Sequence, residues 1–113
     1  MTWRAHGMRA WLLQRLSACY LASYIVGFLV LVLLCMPASY TEWRDTFAYP
    51  VVNIATVLFF VALLIHAWVG IRDILIDYVH PTMLRFILLN GLMLALLSMG
   101  IWIMFVLFAV IKL

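Results

Sequence analysis

Long apolar runs separated by short polar breaks make up most of the chain, and this pattern predicts three membrane-spanning helices. No charged side chain lies within residues 16–36, 46–71 or 86–111. Each run has at least the ~20 residues that a helix needs to cross a bilayer core. The runs are expected to be helical because lipid offers no partner to an unpaired backbone N–H or C=O group. We therefore predict helices over about residues 12–36, 48–77 and 82–111.

Prolines and polar clusters mark the predicted connections between these helices. Pro37 follows the first run, and the polar residues 42–45 lie in the first loop. His80 and Pro81 end the second helix, because a proline pushes the residue before it out of the helical region. At this length there is room for one domain only, so residues 1–113 are predicted to form a single membrane domain.

The composition fits a membrane protein and excludes several classes of function. Of the 113 residues, 70% are hydrophobic and 10% are charged, whereas a soluble domain is nearer half apolar and a quarter charged. The net charge of +3 is scattered along the chain, which argues against a nucleic-acid partner. Cys19 and Cys35 lack the spacing of a disulfide framework, a zinc site or a covalent haem attachment. No separate catalytic domain of ~100–150 residues fits beside the apolar runs, so any enzymatic activity must be shared with other chains.

The distribution of Lys and Arg predicts the orientation of the helices. Five basic residues lie before the first helix or around the second loop, and two lie on the other side: Arg4, Arg9, Arg15, Arg72 and Arg85 against Arg44 and Lys112. Basic residues concentrate on the cytoplasmic side of membrane proteins. The N-terminus and the second loop are therefore predicted to be cytoplasmic.

The second helix carries a polar stripe at membrane depth. At 100° per residue, His66, Gly70, Asp73 and Asp77 fall within a narrow arc of the helix surface. Ionisable groups inside a membrane are costly, so this stripe should face protein or a cofactor rather than acyl chains. The two aspartates lie near the cytoplasmic end, whereas His66 lies about 16–18 Å deeper, close to the middle of the bilayer core.

Three roles for this mid-membrane imidazole stay open on the residues alone. His66 can be hydrogen-bonded to a neighbouring helix, lie on a proton path, or be an axial ligand of a non-covalent haem. Gly70, one turn away on the same face, would leave room for a flat macrocycle or a close helix. The chain has one mid-membrane histidine, so a bis-histidine haem would need its second ligand from a partner subunit.

Two segments of the second helix resemble a known family. LIHAWVG at residues 64–70 and DYVHP at residues 77–81 resemble the corresponding helix of the small hydrophobic membrane anchor of succinate dehydrogenase, the cytochrome b556 partner chain. The three-helix layout, the length and the cytoplasmic N-terminus are similar over almost the whole chain. The resemblance implies an all-α anchor that packs with a second anchor subunit, and with an iron–sulfur subunit and a flavoprotein subunit that hold the succinate chemistry.

The same resemblance implies roles for four residues. His66 would ligate a haem b opposite a histidine of the second anchor subunit, and would thus be its iron ligand. Tyr78 would bind a ubiquinone carbonyl, with Asp77 as a neighbour of that site. Quinone reduction also takes up protons, and an aspartate at the water boundary, Asp77 or Asp73, could assist their delivery. Arg15 would lie near the haem propionates, although a solvated cytoplasmic arginine explains it equally well. Where the best-known members have a lysine before the proline, this chain has His80.

Three other functions remain compatible with the sequence. A fumarate reductase anchor would run the reaction in reverse on a similar fold. A small transporter or channel subunit would conduct protons along the His66 stripe, although the second helix lacks the mid-span break often found at transporter sites. A structural anchor without a cofactor would use His66 only to tie helices together. The lack of an Arg/Ser-rich transit segment favours a bacterial inner membrane over a mitochondrial precursor.

Overall fold

The chain folds into four helices and no strands within residues 2–112, the part that this computed structural model describes, with side chains from residue 7 onward. The helices are α1 (Thr2–Cys35), α2 (Tyr40–Ala48), α3 (Pro50–Tyr78) and α4 (Thr82–Val110). Three of them, over Gly7–Cys35, Pro50–Tyr78 and Thr82–Val110, are long and apolar enough to cross a membrane. The predicted all-α membrane fold with three spanning helices is confirmed.

The structure differs from the predicted helix bounds in two places. The first helix begins at Thr2, ahead of the predicted start near residue 12, because no proline interrupts the residues before the apolar run. The basic side chain of Arg4, which entered the orientation argument, lies outside the described side chains. The first connection, predicted as a loop, contains α2.

Local capping explains why α2 forms. The Ser39 Oγ atom accepts a hydrogen bond from the Glu42 N–H group at 3.2 Å, and the Glu42 carboxylate accepts one from the Ala38 N–H group. A serine followed three residues later by a glutamate satisfies backbone donors that the first turn of a helix leaves free. Pro50 then occupies the first turn of α3, where a missing N–H group costs nothing.

Helix α3 is the central element of the bundle. It packs against α1, α2 and α4, and α2 also touches α4. In the described part of the chain, no Cα atom of α1 lies within 8 Å of a Cα atom of α4. The bundle is therefore open, and large apolar side chains such as Leu34, Trp102 and Phe105 are exposed on its outer helices. Exposed apolar surface on this scale suits a chain surrounded by lipid and partner subunits.

Asn53 holds the end of the bundle far from the predicted cytoplasmic side. It is only 1% exposed, and its Nδ2 atom donates to the Phe47 carbonyl at 3.0 Å and to the Leu107 carbonyl at 2.9 Å. These bonds join α3 to α2 and α4.

Along the same α3–α4 contact, a Cβ atom at Gly100 would lie 3.0 Å from the Leu64 Cδ1 atom. The two helices can approach this closely because Gly100 has no side chain.

Candidate functional site

His66 lies in the second half of α3 and faces α1. Its side chain is half-buried, and both ring nitrogens have a polar neighbour on α1. The Nδ1 atom is 3.1 Å from the Ser17 Oγ atom, and the Nε2 atom is 3.5 Å from the Gln14 Nε2 atom. Since α3 ends at Tyr78, twelve residues along the helix, His66 lies about 18 Å from that end at a rise of 1.5 Å per residue. The imidazole therefore faces protein, as predicted, and its distance from the end of α3 is the one on which its predicted depth rests.

Gly70 allows the approach of α1 to the His66 face. A Cβ atom at this position would come 3.4 Å from the Gln14 Nε2 atom, which is van der Waals contact, so the α1 side chain lies directly over this glycine. The space predicted on this side of Gly70 is therefore occupied by a neighbouring helix in this structure. Small residues at helix contacts let backbones come close together inside membranes.

Further polar contacts follow the same α1–α3 interface away from His66. The Tyr20 hydroxyl donates to the Ala55 carbonyl at 2.7 Å, and the Tyr24 hydroxyl and Thr56 Oγ1 are 2.7 Å apart. The Tyr24 ring also stacks on Phe59, with ring centroids 4.4 Å apart. Helix–helix hydrogen bonds of this kind satisfy polar groups that lipid cannot, so α1 is held against α3 in one register and Ser17 stays opposite His66.

The two aspartates of the stripe lie in a more open environment than His66. Asp73 is exposed and its carboxylate lies 3.2 Å from the Arg72 guanidinium. Although these neighbours diverge by 100° around the helix, the long arginine side chain reaches across to form the pair. Asp77 is exposed. The structure therefore brings His66 and Gly70 together with α1, and leaves Asp73 and Asp77 at the open end of α3.

Tyr78 is the last residue of α3, and its side chain is 76% exposed. The turn that follows it is held by Arg85, whose Nε atom donates to the Val79 carbonyl at 3.0 Å and whose Nη2 atom donates to the Ile76 carbonyl at 3.3 Å. A cation beside the carbonyls at a helix C-terminus is favourable because of the helix dipole. Arg85 thus anchors the turn from which the Tyr78 ring projects.

Arg15 does not lie against His66. It is exposed, and its guanidinium carbon lies 5.3 Å from the centroid of the Trp11 ring. A cleft of about 720 Å³ opens beside Gln14, between the first half of α1 and the end of α3. Its polar and aromatic lining consists of Arg9, Trp11, Gln14, Trp68, Arg72 and Asp73. The arginines that line this cleft are therefore Arg9 and Arg72 rather than Arg15.

Sequence reasoning missed Gln14 and Ser17, the two residues that contact the imidazole. A signal for them exists: Gln14, Ser17, Tyr20 and Tyr24 are polar or amphipathic residues at helical spacing within an otherwise apolar helix. Such a stripe marks the face of a membrane helix that packs on protein. Reading the first helix in the same way as the second would have paired the two stripes.

The arrangement of donors at His66 suits axial ligation of iron by one imidazole. An iron-ligating histidine carries a hydrogen bond at its other ring nitrogen, and Ser17 supplies one here. The Oε1 atom of Gln14 is buried and has no hydrogen-bond partner, so the contact with Gln14 leaves a polar atom unsatisfied. Among the described residues, no three His, Cys, Asp or Glu side chains form a metal-binding group. A single imidazole with a hydrogen bond at Nδ1 is what a haem that takes one ligand from this chain would require, and the Gln14 side chain, 3.5 Å from Nε2, would have to move aside for iron to bind there.

Comparison with known proteins agrees with these features. The family model for succinate dehydrogenase/fumarate reductase transmembrane subunits matches residues 1–111. The chain belongs to this family. A curated relative among its members, the succinate dehydrogenase hydrophobic membrane anchor subunit of Coxiella burnetii, is 32% identical over 96 residues, which cover 85% of this chain and 84% of the relative. The resemblance inferred from residues 64–70 and 77–81 is confirmed.

Proposed function

We propose that the chain is a membrane anchor subunit of succinate:quinone oxidoreductase, the respiratory complex II of the tricarboxylic acid cycle. In this role it supplies one axial ligand to a haem b and part of the ubiquinone-reduction site. The observation that carries the proposal is the half-buried His66 at mid-membrane depth, hydrogen-bonded through Nδ1, in a chain of the succinate dehydrogenase/fumarate reductase family. The enzyme activity belongs to the complex, and the flavin and iron–sulfur centres lie in partner subunits.

His66 is the residue of this chain that would hold the haem iron, through its Nε2 atom. When bound, a haem b supplies a one-electron redox centre inside the membrane. The helix α3 backbone keeps the imidazole at its depth, and the α1 contact keeps the ring in one orientation. The open flanks of α3 leave room for a second anchor subunit to bring the other axial ligand.

Tyr78 and Asp77 are proposed to form this chain's part of the ubiquinone site. The Tyr78 hydroxyl, at the end of α3, can donate a hydrogen bond to a quinone carbonyl while its ring stays in the apolar boundary layer. Asp77 lies beside it at the water boundary, where a carboxyl group can take a proton from solvent and pass it on. Replacing Asp77 with Asn is expected to slow quinone reduction, and an unchanged rate would remove Asp77 from the proton route.

Arg15 is proposed as a weaker candidate for the haem propionate region. Its guanidinium lies over Trp11, a residue that lines the cleft beside Gln14. Arg9 and Arg72 line that cleft directly, so the three arginines compete for the same role. Replacing each in turn and measuring the haem midpoint potential would rank them.

A reduced-minus-oxidised absorption spectrum of the purified complex tests the ligation. His66→Ala is expected to lose the b-type band, because no other residue of this helix can offer an imidazole at that depth. His80→Ala is the matched control, since His80 is exposed in the second connection, and should keep the band. A complex that assembles with His66→Ala and keeps its band would show that His66 is not an essential ligand.

The direction of the reaction is the second question. The family model covers both succinate dehydrogenase and fumarate reductase subunits, and the curated relative is named for succinate dehydrogenase, which favours succinate oxidation.

The structure offers less support for a proton-conducting subunit, because Asp73 is paired with Arg72 and does not continue a path from His66. We further propose a bacterial inner membrane as the location, in keeping with the bacterial source of the relative, with the N-terminus in the cytoplasm.

A further inference from the structure

We propose that Ser17 is the positioning residue for the axial ligand: its hydroxyl holds His66 in the tautomer and orientation in which Nε2 is free to bind iron. This inference rests on the proposed haem ligation by His66. It comes from the hydrogen bonds at the α1–α3 interface, where three groups form a closed ring.

The single hydroxyl proton of Ser17 is donated to a backbone carbonyl of its own helix. The Ser17 Oγ atom donates to the Gln14 backbone carbonyl at 3.0 Å, and a serine hydroxyl has one donor hydrogen and two acceptor lone pairs. Toward the His66 Nδ1 atom, 3.1 Å away, Ser17 can therefore act only as an acceptor. A neutral imidazole that donates from Nδ1 carries its proton there and has a lone pair on Nε2.

The contact at the other ring nitrogen agrees with this tautomer. The Gln14 Nε2 atom is an amide donor, and it points at the His66 Nε2 atom at 3.5 Å. This distance is at the outer limit of a hydrogen bond and longer than the usual 2.7–3.2 Å. With its NH2 group toward the ring, the amide would meet the Nε2 lone pair and bind it weakly at this distance. A long contact of this kind is easily displaced by an iron–nitrogen bond, whereas the shorter Ser17 contact stays in place.

The position of Ser17 supports a role in holding the ring. It is 7% exposed, its hydroxyl is anchored to its own helix, and the helix is held in register by Tyr20 and Tyr24 farther along the same face. A hydrogen bond that an imidazole donates through its second nitrogen makes the ligating nitrogen a stronger electron donor. Ser17 is therefore expected to stabilise the ferric state of the haem and to lower its midpoint potential.

Replacing Ser17 with Thr and with Val in the intact complex tests this inference, because the two side chains have nearly the same shape and only Thr keeps the hydroxyl. Ser17→Val should raise the haem midpoint potential and change the g-values of the ferric haem in the electron paramagnetic resonance spectrum. Ser17→Thr should retain the wild-type values. Ser23→Ala is the control on the same helix, since Ser23 is exposed and donates only to the Cys19 carbonyl, and it should change neither measurement.

The outcomes separate this inference from the proposed ligation. If Ser17→Val and Ser17→Thr both match the wild type, or both shift equally, the hydroxyl does not position the ligand, even where His66→Ala loses its b-type band. If His66→Ala keeps its band, the ligation itself is wrong and the inference fails with it. Haem content per complex, measured as the pyridine haemochrome, separates loss of the haem from a change in its ligation. A Ser17→Val variant that assembles poorly is therefore still informative when its haem content and potential are compared with those of Ser17→Thr.

Discussion

At the level of single residues, the chemistry of this chain depends on a few polar groups in a mostly apolar helix bundle. His66 has two polar neighbours on α1, Asp73 has an adjacent arginine, and Tyr78 projects from the end of α3. Each of these environments suits a different task, because the cost of an ionisable group rises with its depth in the membrane. The deep imidazole suits a fixed ligand, and the exposed Asp77 and Tyr78 suit exchange with quinone and water.

Replacing Tyr78 with Phe is expected to weaken the binding of ubiquinone. The change removes one neutral hydrogen bond, which contributes about 1 kcal/mol, so the KM for ubiquinone should rise roughly fivefold with little change in haem content. The measurement is steady-state quinone reduction by the purified complex over a range of ubiquinone concentrations. Tyr40→Phe is a matched control, because Tyr40 is 79% exposed at the other end of the bundle. An equal effect of both substitutions, or none, would contradict the assignment.

At the level of helices, α3 connects the two ends of the molecule. Its second half carries the stripe that faces α1, and its first half carries Asn53, whose amide bonds to carbonyls of α2 and α4. Gly100 and Gly70 allow the close approach of the flanking helices at different levels. The position of His66 therefore depends on contacts along the whole length of α3.

Asn53→Leu is expected to destabilise the bundle. It leaves the Phe47 and Leu107 carbonyls without this donor, and interhelical hydrogen bonds in membrane proteins contribute about 0.6 kcal/mol each, with a maximum near 1.7. We expect a loss of about 1–3 kcal/mol in unfolding free energy, measured by denaturant titration of the complex in detergent. The control is Asn90→Leu, because the exposed Asn90 donates only to the Phe86 carbonyl of its own helix. Equal stability of the two variants would show that the Asn53 contacts contribute nothing.

At the level of the whole molecule, α1 and α4 each pack against α3, and within the described residues they do not pack against each other. The bundle is therefore incomplete. Polar interior groups are few, and most large apolar side chains of the outer helices are exposed. A chain of this shape cannot enclose a macrocycle alone. Its exposed apolar surface suits association with other subunits, which fits a member of a family of transmembrane subunits.

Loss of the second anchor subunit is therefore expected to abolish the b-type band of this complex. If His66 ligates the haem as proposed, this chain offers one imidazole, and the other ligand must come from a partner. The measurement is a reduced-minus-oxidised spectrum of this chain purified with its bound subunits, with and without the second anchor subunit, and with immunoblotting of this chain to control for its amount. A full band in the absence of the second anchor subunit would contradict the shared ligation.

Particular residues show how far the sequence could be interpreted. The direction of His66 toward protein followed from helical spacing and from the cost of burying a polar group in lipid, and the structure shows it in the contacts with Gln14 and Ser17. Its depth in the membrane stays a prediction. The missed helix α2 had a capping signal in Ser39 and Glu42, but its short length made it look like a loop. The polar stripe of the first helix could have indicated the face that meets His66, but the individual partners could not be assigned, because spacing within one helix does not specify which residue of another helix will lie opposite.

The apolar run lengths alone were enough to establish a three-span helical membrane protein, since lipid permits few alternatives to helices of that length. The motif around His66 also sufficed to identify the family. Only the packed structure revealed that Gln14 and Ser17 meet the imidazole, and that Arg15 turns to Trp11 while Arg9 and Arg72 line the cleft. The register between two helices depends on side-chain shapes and hydrogen bonds along their entire interface. A local sequence pattern therefore cannot predict it.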